Sequence, residues 1–249
     1  MGIRWIGQSF SLFGKNPSIW IVMLLVFVGI NFGLTMIPYL ELLPTILAPA
    51  FTVGFYMGCI ELQRGGDLQI DHLFNGFKKQ GRSLVRLGLL FFVWNIVIYL
   101  LTMMFVQQMM TQEHADLLAQ AQTQEQLTAI FTQNPELLNV IINGIFVALI
   151  LSVPLVMASW FSPALVAFQN VPPLKAMTLS LKACNKNFIP FLIYGLLMVP
   201  LLVLSFVPLL GLGLLVMLPV IVIGQYVCYQ SVFPNTDSTE DEKQGIITL

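Results

Sequence analysis

Few residues in this chain are suited to catalysis or metal binding, and they are widely separated. The sequence holds two histidines and three cysteines without CxxC spacing: His72, His114, Cys59, Cys184 and Cys228. Metal sites and nucleophilic centres need such groups in clusters, and no G-x-S-x-G, H-E-x-x-H or P-loop motif is present. The sequence therefore predicts a protein that is not an enzyme, holds no cofactor or metal, and uses its cysteines for packing.

Two polar residues inside apolar stretches, Glu61 and Asn95, are candidates for an intramembrane polar site. An ionisable side chain deep in a bilayer costs at least about 2.5 kcal/mol, so its presence suggests a function. Arg64 follows Glu61 by one helical turn. Glu61 is therefore either half of a structural ion pair at the interface or a proton or cation site. Asn95 is expected to face the bundle interior, where an amide bridges helices for about 1 kcal/mol.

The Lys and Arg residues indicate how the chain crosses a membrane and what it binds there. All eleven lie before the first of six apolar stretches, in the even-numbered connections, or after the last stretch. Basic residues near span ends stay in the cytoplasm, so both termini are predicted to be cytoplasmic. Each cation near anionic headgroups contributes about 1 kcal/mol. Six are predicted to contact anionic lipid: Lys78, Lys79, Arg82, Lys175, Lys182 and Lys186.

Composition also places the chain in a membrane. Apolar residues make up 57% of the sequence and charged ones 9%, against about 25% charged in soluble domains. The net charge of −1 argues against a nucleic-acid partner, which needs a concentrated basic face. Runs of about 20 apolar residues span a bilayer, so we predict an all-α bundle with residues 1–233 as a single transmembrane domain. The predicted spans are 17–36, 42–62, 84–105, 137–161, 188–206 and 209–232.

The spans pair into three hairpins of one orientation, each preceded by a short amphipathic segment. Apolar stripes with a basic flank are typical of helices in the headgroup layer; the alternative is that these segments extend the spans. In the first segment Ile3 and Phe13 share the apolar face, and Ser9 lies opposite. Residues recurring 170 or 171 positions apart predict parallel repeats; they include Ser9 and Ser180, Pro49 and Pro219, Gly54 and Gly224, and Tyr56 and Tyr226.

Two segments lie outside the predicted bundle. Residues 107–135 form a Gln-rich extracytoplasmic connection without basic residues, predicted to be a helical hairpin that meets a protein partner. Within it, Thr123 and Gln126 are spaced as in a capping box. Residues 234–249 are predicted to be a disordered acidic cytoplasmic tail.

The region around the end of the fourth span resembles a known family. Trp160–Val166 (W-F-S-P-A-L-V), Val171–Ala176 (V-P-P-L-K-A) and Ser180–Cys184 (S-L-K-A-C) are similar to the signature of an uncharacterised proteobacterial family of six-span inner-membrane proteins, whose function is unknown. The opening segment Ser11–Trp20 is similar to that family as well. The resemblance implies the bacterial inner membrane and brings no catalytic or binding residues.

The leading functional hypothesis is a non-catalytic scaffold or accessory protein that binds membrane lipids and a partner, because the predicted interior carries almost no charge. The alternative is a permease or exporter of a small apolar or amphipathic solute along the proline-bent second, fourth and sixth spans. No polar cluster accompanies those prolines, which favours packing as their role. A headgroup-level enzyme would depend on Asp67, Asp71 and His72, the only such acid and histidine group.

Overall fold

The computed structural model describes residues 2–206 and 211–234, and within these ranges every regular element is helical. The helices are α1 (Gly2–Lys15), α2 (Pro17–Thr35), α3 (Leu43–Gln63), α4 (Asn75–Met109), α5 (Gln112–Gln120), α6 (Gln124–Gln133), α7 (Pro135–Gln169), α8 (Pro173–Lys186), α9 (Phe188–Ser205) and α10 (Leu214–Val232), with a 3-10 helix at Ile70–Phe74. Six of these helices, α2, α3, α4, α7, α9 and α10, are long and apolar enough to cross a membrane. The predicted all-α fold with six spans is therefore confirmed. The predicted start of the sixth span at 209 and the predicted tail beyond 234 lie outside the described residues.

Local sequence signals set several helix ends. The Asn16 side chain accepts a hydrogen bond from the Ile19 amide at 3.4 Å, and Pro17 occupies the first turn of α2, where its missing N–H costs nothing. Helix α3 ends at Gln63 and is followed by Gly65, whose φ of +82° is left-handed. The next amide, of Gly66, donates to the Glu61 carbonyl at 3.0 Å. This glycine-based ending satisfies carbonyls that the helix itself leaves free.

The chain divides into two compact bodies, which are described separately. The first contains residues up to Leu90 and those from Met157 onward, and the second is Phe91–Val156. Helices α4 and α7 contribute one part to each body. In the first body α3 and α10 are the most buried spans, so its core is built around them.

Short helices cover the central spans of the first body through small residues. Helix α1 packs on α10 and α9, and the 3-10 helix packs on α3. A Cβ on Gly54 of α3 would overlap the Leu73 carbonyl, and one on Gly224 of α10 would overlap the Tyr194 hydroxyl. These glycines therefore let neighbouring elements approach α3 and α10 closely.

The buried face of α1 differs from the predicted one. Ser9 is fully buried beside Trp5 and Leu12, and its hydroxyl donates to the Trp5 carbonyl at 2.6 Å. Ile3, predicted on the apolar face, is 68% exposed. Placing Ser9 on the outer face was therefore wrong. The reason is that α1 packs against protein, and a small side chain that bonds to its own helix fits beside Gly224.

The second amphipathic segment is divided from its span by a kink. The 3-10 helix leads directly into α4, whose helical conformation is interrupted at Gln80, where φ is −144° and ψ is 35°. The short helical stretch before this break is therefore distinct from the span that follows it. The first and third segments are the separate helices α1 and α8.

The second body holds the connection between the two long helices. Its helices α5 and α6 each begin with a capping box, formed by Thr111 with His114 and by Thr123 with Gln126. The predicted capping box at Thr123 is therefore confirmed. His114, which belongs to the first of these capping boxes, is only 9% exposed. Helix α7 packs on α4 at Gly144, where a Cβ would come within 2.6 Å of the Val106 side chain.

Candidate functional site

The basic side chains of the described chain all lie on the surface of the first body. Of the eleven Lys and Arg residues, Lys243 falls outside the described range, and the other ten are exposed. The second body contains no Lys or Arg but carries exposed acids at Glu113, Asp116, Glu125 and Glu136. The two bodies therefore present surfaces of opposite charge.

Three predicted lipid contacts, Lys78, Lys79 and Arg82, flank the kink of α4 and are exposed. The Lys79 ammonium lies 5.0 Å from the centre of the Phe168 ring in α7. Such a cation–π contact is worth about 0.5–1 kcal/mol at an exposed site. Lys79 thus has a protein partner as well as access to solvent or headgroups.

The other three predicted contacts, Lys175, Lys182 and Lys186, are exposed on α8. The opposite face of α8 is buried and consists of small or apolar residues, namely Ala176, Met177, Ser180, Ala183 and Cys184. An apolar face held by protein leaves the lysines free to meet an anionic surface.

A buried serine attaches α8 to α7. The Ser180 hydroxyl donates to the Met157 carbonyl at 2.6 Å and accepts from the Phe161 amide at 2.9 Å. These two backbone groups are the pair that a regular α-helix would join to each other. The Cys184 thiol also lies 3.4 Å from the Met157 carbonyl. The basic face of α8 is therefore fixed in position by polar bonds beneath it.

The two candidates for an intramembrane polar site belong to different bodies, Glu61 to the first and Asn95 to the second. Glu61 is half-buried near the end of α3, where its carboxylate packs against Gly66, and Arg64 is exposed. Asn95 is exposed on α4, and its amide donates to the Phe91 carbonyl of its own helix at 2.9 Å. The expected bridge from Asn95 to a second helix is therefore wrong, because the amide is satisfied one turn away.

A cluster of glutamines and tyrosines joins the ends of α3, α7 and α10. Gln63 and Gln230 exchange amide hydrogen bonds of 2.9 and 2.8 Å, and Gln230 also donates to the Tyr226 hydroxyl at 2.7 Å. Beside them the Tyr56 hydroxyl donates to the Gln225 amide oxygen at 3.2 Å.

Sequence reasoning missed this cluster. Glutamine at the ends of two apolar stretches was the available signal, but pairing across 167 residues is not visible in a pattern. Gln63 and Gln230 lie near the ends of α3 and α10, whereas the Tyr56–Gln225 bond lies about two turns before those ends.

The cysteines and histidines do not form a reactive group. Cys59, Cys184 and Cys228 are buried free thiols, and burial raises the pKa of the Cys184 thiol to about 12. His72 belongs to a local cap, in which its Nδ1 atom accepts a hydrogen bond from the Gln69 backbone amide at 3.0 Å. Among the described residues, no three or more His, Cys, Asp or Glu side chains are placed to hold a metal ion.

Comparison with known proteins also places the chain among integral membrane proteins. Residues 36–162 match the family described as "Predicted integral membrane protein (DUF2189)". The chain belongs to this family. It is also 26% identical over 201 residues to a probable inner membrane protein of Burkholderia thailandensis, an alignment covering 79% of this chain and 71% of that protein. No solved structure matches the chain.

Membership of DUF2189 confirms the expected class of uncharacterised integral membrane proteins. The matched range runs from before α3 to near Ser162 in α7, so it includes the kink of α4 with Lys78, Lys79 and Arg82. Helix α8 lies beyond it. The basic residues at the kink thus belong to the DUF2189 region itself.

Proposed function

We propose that the protein is a non-catalytic scaffold or accessory protein of the inner membrane that holds anionic phospholipid against its cytoplasmic surface. One observation carries the proposal: all ten described Lys and Arg side chains are exposed on the first body. Cations beside a bilayer attract anionic headgroups and are retained on the cytoplasmic side. The same residues that set the orientation would therefore bind the lipid.

The interior favours this role over that of a permease or exporter. Pro49, Pro163 and Pro219, which lie in α3, α7 and α10, are all buried. Large side chains in α2 and α10, such as Trp20 and Tyr226, are fully buried as well. A solute path along these spans would need space that the side chains fill.

The second body supports the other half of the proposal, a protein partner. Helix α6 has no buried residue, and Leu127, Ile130 and Phe131 are only half-buried. This body carries four exposed acids and no Lys or Arg. Its partner would therefore carry basic residues around an apolar contact. A photo-crosslinking residue at Phe131 should then yield one discrete protein adduct that high salt weakens. If no such adduct forms in intact membranes, this half fails.

The lipid half is tested by replacing Lys78, Lys79, Lys175 and Lys182 with alanine. At about 1 kcal/mol per cation, the four changes weaken lipid association by up to about 4 kcal/mol, or about a thousandfold. Mass spectrometry of lipids that co-purify with the protein should show a reduced preference for anionic over zwitterionic species.

A matched control removes four charges from the other body by changing Glu113, Asp116, Glu125 and Glu136 to alanine. This control should keep the wild-type lipid preference. An unchanged preference in the lysine variant would refute the lipid half of the proposal.

A further inference from the structure

A shallow groove lies on the surface of α4 at its kink. Phe77, Gly81 and Val85 line this groove together. A Cβ on Gly81 would approach nothing closer than the Phe77 Cβ at 4.0 Å. The groove as a whole is wide open to the surface and has a volume of about 450 Å³.

Two arginines form the edge of this groove. Arg82 and Arg86 are both exposed and lie one helical turn apart. Like charges at this spacing repel each other, and the groove lining contains no carboxylate to offset them. An anion that contacts both guanidinium groups would remove the repulsion. Arginine forks match phosphate oxygens with two parallel hydrogen bonds, which a lysine cannot do.

The kink fixes the groove in place. Gln80 leaves the helical conformation, and its amide donates to the Asn170 side chain at 2.6 Å. The Ser83 hydroxyl in turn donates to the Gln80 amide oxygen at 3.2 Å. These bonds restrain the chain on both sides of Gly81, so Arg82 and Arg86 keep a fixed position relative to the space at Gly81.

The groove lies where a phospholipid changes from headgroup to hydrocarbon. The predicted third span begins at Leu84, so Arg82 lies just before the apolar part of α4 and Val85 just inside it. A phosphate belongs at this boundary, and arginine side chains near the end of a span extend toward it.

We propose that this groove is a discrete binding site for one anionic glycerophospholipid, in which Arg82 and Arg86 bind the phosphate and the gap at Gly81 takes the glycerol. The site deepens the proposed function and rests on it: it would be a specific position within a surface that otherwise attracts lipid by charge alone. Arg86 is thereby added to the six lipid contacts predicted from the sequence.

The decisive variants fill the gap or alter the arginines. Gly81→Leu places a side chain in the groove, whereas Gly14→Leu on α1 makes the same change where nothing lies within 4 Å. The double variant R82K/R86K keeps both charges but loses the planar forks. Thermal melting confirms that each variant is folded, and a helical glycine replaced by leucine is favoured by propensity.

Native mass spectrometry of delipidated full-length protein, titrated with phosphatidylglycerol, measures the site. The wild type and the G14L variant should form one saturable adduct that phosphatidylcholine does not form. The G81L variant should lose it, and R82K/R86K should bind about tenfold more weakly because charge-assisted paired bonds are lost. Retention of wild-type affinity in both variants would overturn the proposal.

Two further arms separate the possible explanations. Inorganic phosphate in large excess should not displace the lipid. Displacement would instead identify a site for free phosphate and overturn the assignment to lipid. The variant with Lys78, Lys79, Lys175 and Lys182 changed to alanine should keep the single adduct, because the groove is intact. If that variant reduces the general anionic preference while G81L keeps the adduct, the proposed function stands and the groove site falls.

Discussion

The close contact at Gly54 provides a quantitative test of how the first body is packed. A Cβ at this position would overlap the carbonyl oxygen, the carbonyl carbon and the Cα of Leu73, all of them backbone atoms. Backbone cannot turn aside as a flexible side chain can, so Gly54→Ala must push the 3-10 helix away from α3. We therefore expect this substitution to destabilise the protein although alanine is the better helix former.

The size of the effect follows from two opposing contributions. Replacing a helical glycine with alanine gains about 1 kcal/mol. Overpacking typically costs about 1–3 kcal/mol, and the three-atom overlap places this site at the upper end of that range. The net loss is about 2 kcal/mol, which lowers the melting temperature of a chain of this length by about 4–8 °C.

The matched control is Gly29→Ala in α2, where no atom lies within 4 Å of an added Cβ. This variant gains helix propensity without a clash, so its melting temperature should rise by about 2–4 °C. Thermal melts in one detergent, followed by tryptophan fluorescence, compare the two variants directly. If both glycine variants shift the melting temperature in the same direction by similar amounts, the packing of the 3-10 helix on α3 is not as described.

Two further predictions concern the buried face of α8. Ser180→Ala removes two buried hydrogen bonds, but the freed Met157 carbonyl and Phe161 amide lie where a regular helix would pair them. We therefore expect the free energy of unfolding to fall by only about 1 kcal/mol. A melting temperature equal to that of the exposed control Ser231→Ala would contradict the Ser180 bridge. Burial raises the pKa of Cys184 from 9.0 to about 12, so its thiol stays protonated at neutral pH and should resist maleimide until the protein unfolds. Because the folded pKa is the higher one, stability contributed by Cys184 should be constant below pH 9.0 and fall as pH rises toward about 12. Stability curves of wild type and Cys184→Ala that remain parallel through that interval would refute the burial of the thiol.

Local signals predicted much of the fold because they act within one turn of helix. Pro173 begins α8 and Pro135 begins α7, and proline is well suited to the first turn of a helix. The capping box at Thr123 formed as its spacing predicted. Six apolar stretches likewise became six helices. Each of these features depends only on neighbouring residues.

The features that sequence reasoning missed depend on which elements meet. A helical stripe does not say whether its outer side faces solvent or a neighbouring helix, and Ser9 was assigned to the wrong side for that reason. The pairing of Gln63 with Gln230 and the hold of Gln80 on Asn170 join distant parts of the chain. The groove at Gly81 depends on the kink that this second bond stabilises. The basic residues of the candidate site were therefore predicted from the sequence, but the groove beside them was not.

The contacts give the spacing of 170 or 171 residues a physical meaning. Ser9 lies beside Gly224 of α10, and Ser180 bonds to the backbone of α7. Gly54 of α3 receives the 3-10 helix. In each case the segment that precedes a hairpin covers the second span of another hairpin, through a small residue at the contact. Small side chains are what close approach of two helices requires, so the recurring serine and glycine stand where packing demands them. The triplication itself stays a prediction, yet selection for these contacts would preserve such matches in any chain that closes its core this way.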